Sequence, residues 1–263
     1  LLKSSKLFNL IGFFDPNKSR VKEIIDKYNI NFIEIDKISS LVDAVIISTP
    51  TSFHYETAVE FLKNKKHVFV EKPITSTIEQ ANKLIEIKKN NKLIGQVGHV
   101  ERFNSAFLSI KDALNPMFIE SHRLSSYPSR GTDVSVVLDL MIHDIDIVLS
   151  LVDSKITKIS ANGTKIISSS PDIANARIEF ENGCVANLTS SRLSLKKMRK
   201  MRVFQTDSYI SLDFDSGSSE IIKIKNFDGK NNYAMTIHDS EGVEKEIQIE
   251  NITNEKINSI EEE

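Results

Sequence analysis

A chain of 263 residues is long enough for two domains, and its 40% hydrophobic and 27% charged residues are the proportions of a globular protein rather than a disordered one. The formal net charge of −2 leaves no basic excess to displace phosphate counterions, which argues against a general nucleic-acid binder. No apolar run approaches the ~18 residues of a membrane span, and Leu1–Ser5 lacks the h-region of a signal peptide.

The one cysteine, Cys184, has neither a disulfide partner nor a CxxC neighbour for zinc. It is expected in the core, in a cytoplasmic protein with no membrane or nucleic-acid partner. The chain opens on Leu rather than Met and closes on Ile260 followed by three glutamates, a pattern expected of a piece of a longer polypeptide.

The first stretch alternates strands and helices. Leu7 to Phe14 is a short apolar run closed by Asp15-Pro16-Asn17, a strand followed by turn residues. Ser19 to Tyr28 carries Val21, Ile24, Ile25 and Tyr28 at helical spacing. Asp43 to Thr49 reads as a buried strand, Phe53 to Asn64 as a helix, His67 to Val70 as a strand, Ser76 to Asn90 as a helix and Leu93 to Val97 as a strand. Apolar strands alternating with amphipathic helices predict a doubly wound parallel sheet covered on both faces, over residues 1–98.

From residue 99 to 263 the pattern changes. Two helical segments, Arg102 to Leu114 and Asp133 to Val152, precede a series of strands. Ile173 to Phe180 and Cys184 to Ser190 flank Asn182-Gly183, a strong hairpin signal. Met201 to Gln205, Tyr209 to Phe214 and Ile221 to Ile224 continue the series, and the tail from Glu241 is acidic and weakly patterned. The expectation is an α+β domain with an open, mainly antiparallel sheet.

Ligands of open parallel sheets bind beyond the carboxyl ends of the strands. Asp15 follows the first strand, where a carboxylate suits ribose hydroxyls and where a turn-forming role is equally open. The Gly-rich phosphate loop expected about 20 residues upstream of it is absent from this sequence. At the next strand end, Thr49-Pro50-Thr51-Ser52-Phe53-His54 opens a helix, which suits either an anion or simple capping. Glu71-Lys72-Pro73 closes the third strand. There a lysine can stabilise a developing alkoxide or form a surface ion pair, and Pro73 is a candidate for a cis peptide.

The segment Asp133 to Val152 is apolar nearly all round, apart from Asp139, His143, Asp146 and Ser150 at spacings of four, three and four. Such a row is costly unless it lines a cleft or satisfies itself. Asp139 one turn before His143 suits a carboxylate that orients a general base. The HExxH pattern is absent, and no metal is expected.

Ser48 to Thr75, Gly98 to Asn104 (GHVERFN) and Asp133 to Val152 resemble the motif blocks of the Gfo/Idh/MocA oxidoreductases. The resemblance implies a Rossmann domain that binds NAD or NADP, truncated at its N-terminus, and a second domain whose open sheet often mediates homo-oligomerisation. It implies Lys72, His143 and Asp139 as the catalytic set, with Asp15, Thr49, Pro50, His54 and Glu71 beside the dinucleotide. Asp15 favours NAD, while Lys18 and Arg20 keep NADP open.

Within the family, the segments around GHVERFN and the polar helix are most similar to dehydrogenases of the 3-hydroxyl of UDP-N-acetylglucosamine, which feed an aminotransferase in cell-envelope synthesis. Arg102, Asn104 and Arg130 then become candidates for sugar or phosphate contacts. The alternatives are a dehydrogenase of a free polyol, inositol or aldose, and a non-catalytic dinucleotide-binding sensor.

Overall fold

The computed structural model describes residues 2–127, 134–228, 235–253 and 257–263. The chain divides into two compact units, Leu1–Gly98 and His99–Glu263.

In the first unit a short 3-10 turn, Leu2–Ser4, precedes helix α1 (Lys18–Tyr28). Asn17 caps α1 by accepting from the Ser19 and Arg20 N–H groups, and Asn29 in the left-handed region ends it. Helix α2 (Ile35–Leu41) has no side-chain cap, and no signal in the sequence pointed to it. There follow β1 (Ala44–Ile47), α3 (His54–Lys63), β2 (His67–Glu71), α4 (Ile78–Asn90, capped by Thr77) and β3 (Gly95–Gly98). The strands form a parallel sheet in the order β1-β2-β3.

Helices α3 and α4 bury Ala58, Phe61, Leu62 and Leu84 against Ile47, Val68 and Val70. The opposite parity of β2 (His67, Phe69, Glu71) is only half-buried, so among the described residues one sheet face is covered where two were expected. The strand expected over Leu7 to Phe14 is reduced to one parallel bridge, Phe13 to Phe32. Leu7 and Phe8 are exposed, because a lone segment with a partner on one side gains too few ladder bonds to order its full length. Gly12 is required there: a Cβ would stand 2.5 Å from the Asn31 carbonyl oxygen.

The second unit is built on a nine-stranded sheet. Its strands are β4 (Phe118–Leu124), β5 (Ile156–Thr164), β6 (Ile173–Phe180), β7 (Val185–Ser191), β8 (Met198–Gln205), β9 (Ser208–Asp213), β10 (Ser218–Asn226), β11 (Met235–His238) and β12 (Glu244–Thr253). The order is β11-β12-β10-β9-β8-β4-β7-β6-β5, with β4 and β7 parallel and the other pairs antiparallel. Gly183, at φ +86°, turns the β6–β7 hairpin as the Asn-Gly signal requires. The tail that looked weakly patterned supplies β12, paired with β10 over nine residues.

The helix expected over Arg102 to Leu114 is broken into a 3-10 turn (Val100–Phe103), α5 (Ser105–Leu108) and a second 3-10 turn (Lys111–Ala113). Asn104 is extended and caps α5 with its own side chain, so no helix passes through it. The segment expected as one helix from Asp133 to Val152 is a π-helical turn, Val137–Met141, followed by α6 (Ile142–Leu151). A short helix, α7 (Ser259–Glu262), ends the chain.

Strand β4 alternates half-buried and buried residues along its length, as a sheet covered on one face requires. Ile119, Ala186, Leu188, Met201, Val203, Ile210 and Leu212 pack with Phe107, Ile110, Met141, Ile147 and Val148 in one core, and Cys184 is buried there too. Leu188→Ala removes a fully buried side chain from the centre of that core. It is expected to lower the unfolding free energy by about 2–5 kcal/mol in a urea titration, and a loss under about 1 kcal/mol would place Leu188 outside the load of the core.

Candidate active site

In the first unit the carboxyl ends of the parallel strands carry the residues expected beside the cofactor. After β1 the chain passes through Thr49 and Pro50 into a 3-10 turn (Thr51–Phe53) that leads directly into α3. After β2 it passes through Glu71 and Lys72 to Pro73, and the Lys72–Pro73 peptide is cis. Lys72 and Glu71 are half-buried and Pro73 is buried. Beside them β3 ends on Gly98, where a Cβ would press to 3.0 Å on a Glu71 carboxylate oxygen. His54 is 1% exposed, with Nδ1 2.8 Å from the Pro73 carbonyl oxygen and Nε2 2.8 Å from that of Thr49.

Asp15 accepts the Asn17 N–H on Oδ1 at 2.8 Å, and its Oδ2 lies 3.6 Å from the Arg20 guanidinium. The turn-forming reading of this residue is therefore realised, while the carboxylate stays partly exposed at 20%. Taken together, the donor set at these ends fits a nicotinamide dinucleotide: a carboxylate for vicinal hydroxyls, a hydroxyl and open backbone at Thr49-Pro50, and a lysine beyond the middle strand.

In the second unit the expected residues Asp139 and His143 belong to the π turn and to α6. Three arginines on different elements hold this segment. Arg192, with no exposed surface, donates from Nη1 to the Val134 carbonyl at 3.0 Å and from Nε to Asp172 at 2.8 Å. Asp172 Oδ2 in turn accepts the N–H groups of Ile166, Ile167 and Ser168 at 2.8, 2.8 and 2.9 Å. Burial alone would raise the Asp172 carboxyl, but the Ser168, Ile166 and Ile167 donors outweigh it and hold it far below the usual carboxylate range.

Arg123, on the core-facing side of β4, grips Asp144 with Nε and Nη2 and reaches Glu101 with Nη1 at 2.7 Å. Burial pushes the Asp144 carboxyl up, against the pull of Arg123. The Arg123 guanidinium is held above its ordinary range because its two carboxylates overcome the same burial. Arg102 binds Asp146 bidentately, at 2.6 and 2.7 Å.

This geometry redraws the polar row read from the sequence. Asp139 lies inside the π turn and His143 just past it, both half-buried. A π turn carries more residues per turn than an α-helix, so spacings counted on a continuous α-helix do not carry through Asp139. Asp146 is committed to Arg102, with His99 Nδ1 at 3.7 Å. Ser150 is exposed and donates to its own helix at the Ile147 carbonyl.

Of the expected substrate contacts, Asn104 spends its side chain internally. It accepts the Ala106 N–H and donates to Glu101 and to the Phe214 carbonyl. Arg102 keeps 48% of its side chain exposed, and Arg130 lies outside the described residues. The arginine anchors Arg123 and Arg192 were missed. Their one sequence signal was parity, since Arg123 shares the core-facing register of Ile119 and Ser121.

Residues 1–99 match the family model described as "Oxidoreductase family, NAD-binding Rossmann fold", and residues 92–211 match the GFO/IDH/MocA C-terminal domain. The UDP-N-acetylglucosamine 3-dehydrogenase of Acidithiobacillus ferrooxidans is 34% identical over 215 residues, spanning 81% of this chain and 69% of that protein. The chain belongs to the Gfo/Idh/MocA oxidoreductase family.

A solved structure of the same Acidithiobacillus enzyme superposes with a TM-score of 0.81 at 29% identity, covering 95% of this chain and 77% of that one. The scyllo-inositol 2-dehydrogenase (NAD(+)) of Bacillus subtilis is 30% identical over 207 residues, spanning 70% of this chain and 60% of that protein. These two relatives are thus matched over 69% and 60% of their own length. An NAD-binding protein from Listeria innocua, at 24% identity and a TM-score of 0.79, shares the fold.

Because Arg123 is enclosed, Arg123→Met leaves Asp144 buried without its cation and Glu101 with only the Arg199 guanidinium, 4.0 Å away. The substitution is expected to cost about 3–5 kcal/mol of unfolding free energy in urea, whereas Arg177→Met, at a surface pair with Glu179, is expected to cost less than about 1 kcal/mol. Equal costs would show that burial does not set the value of the Arg123 pair.

Proposed function

We propose that this family member oxidises a secondary hydroxyl of a nucleotide sugar, C3 of UDP-N-acetylglucosamine, with NAD as the acceptor. The observation that carries the reading is the 34% identity, over four fifths of the chain, to a UDP-N-acetylglucosamine 3-dehydrogenase. In this reading Asp15, Thr49, Pro50, Glu71 and Lys72 hold the cofactor, and the Asp15 carboxylate favours NAD over its 2′-phosphorylated form by charge. The bound nicotinamide supplies the hydride acceptor.

His143 takes the proton from the substrate hydroxyl as hydride leaves the same carbon. The Lys72 ammonium donates to the oxygen and stabilises the negative charge that builds there. Asp139 orients the imidazole. Arg102, half-exposed at its Asp146 partner, is the candidate for the sugar diphosphate. The 3-keto product suits consumption by an aminotransferase, and the open face of the large sheet suits a homo-oligomer. The similarity to a scyllo-inositol 2-dehydrogenase favours a free cyclitol as the second reading.

The test is NADH formation by the full chain on addition of UDP-N-acetylglucosamine, with an aminotransferase drawing off the ketone. Substrate-dependent NADH is expected, with kcat roughly 10²–10⁴-fold lower in His143→Ala and roughly 10²–10³-fold lower in Lys72→Ala. Turnover of scyllo-inositol without turnover of the nucleotide sugar would replace this reading by the second one. Undiminished turnover in His143→Ala would remove the base from that residue.

A further inference from the structure

The backbone pairing of β1 with β2 ends at Ile47 and Val70. Thr49 and Pro73 lie two and three residues beyond that last pair, in separate loops. The His54 ring stands between them, 2.8 Å from each carbonyl oxygen and 1% exposed. Both partners are carbonyl oxygens, which only accept, so a neutral ring donates to one of them and an imidazolium to both. A ring this enclosed, with each nitrogen facing a main-chain oxygen, has no edge left for a ligand.

We infer that His54 is a positioning residue: it ties the Thr49-Pro50 loop to the Lys72-Pro73 loop and so sets the place of Lys72, without touching the dinucleotide. Where the ladder stops, side-chain bonding takes over the spacing of the two strand ends. The ring comes from the first residue of α3, which the 3-10 turn Thr51–Phe53 brings back over the loop it has just left. The inference assigns these loops to the cofactor as in the reading above, but its geometry lies wholly within the chain and its test uses no cofactor.

The experiment is backbone hydrogen exchange on the full chain and three variants. The asparagine amide nitrogen stands where Nδ1 does, and that of glutamine where Nε2 does. His54→Asn therefore keeps a nitrogen donor facing Pro73 and loses the nitrogen facing Thr49, and His54→Gln does the reverse. His54→Phe keeps a ring of similar size with neither donor.

Exchange at Thr51 to Phe53 is expected to rise about fivefold to tenfold in His54→Asn where the ring donates to Thr49, exchange at Ile74 and Thr75 similarly in His54→Gln where it donates to Pro73, and both where it is an imidazolium, the scale of one lost hydrogen bond. In His54→Phe both loops are expected to respond. If the three variants change exchange equally in both loops, or His54→Phe changes neither, His54 is a packing residue and the inference is overturned. Failure of the UDP-sugar assay would leave this result untouched.

Discussion

Arg123 stands on the buried side of the interior strand β4 and is closed in by Asp144, Glu101 and the ring of Phe214 at 5.8 Å. The placement of α6 on the sheet of the second unit follows from that enclosure. An apolar cluster of the same volume could hold α6 to the sheet as firmly, but apolar packing tolerates sliding and rotation. A forked guanidinium on a carboxylate has one geometry, so it sets where α6 lies and which way it faces. Arg192 at the entry to the π turn and Arg102 further along the helix add two more fixed points. Asp139 and His143 are thus carried on a segment pinned before and after them, the rigidity that the proton transfer proposed for them demands.

The first unit positions its side chains by other means. Its strands are short and parallel, and its core is a small set of aliphatic and aromatic contacts under α3 and α4. No buried ion pair of the Arg123 kind orders the strand ends among the described residues. Chain direction does it: parallel strands bring all their carboxyl ends to one edge, so Thr49, Lys72 and Gly98 converge although they are far apart in sequence. The ring of His54 lies within that convergence and spans two of the loops.

Much of the fold was legible because local chemistry and tertiary context agreed. Alternation, helical spacing and Asn182-Gly183 each named an element that exists, since they act over a few neighbouring positions wherever they are placed. The failures were also physical. Arg102 to Leu114 has the apolar spacing of a helix, but Asn104 bonds with Phe214 and Glu101 far better extended than helical. The tail after Glu241 is polar because β12, one strand in from the sheet edge, stays largely exposed, so it showed little of the periodicity by which β6 was recognised. The row Asp139, His143, Asp146 and Ser150 was counted on an α-helix, and the π turn altered the count.

By itself, the sequence determined the order of strand and helix, the parallel character of the first sheet, the hairpin at Asn182-Gly183 and the family to which Lys72 and His143 belong. Each of these depends on residues close together in the chain, where side-chain type and backbone preference suffice. The tertiary structure alone decided which polar groups are spent on the scaffold. Asn104, Asp144 and Asp146 look equally available in the sequence, yet they have partners on other elements, up to 110 residues away for Asn104. A carboxylate or a guanidinium has the same chemistry in either role, and only the folded chain, by bringing a partner within hydrogen-bond distance and excluding water, assigns it to one.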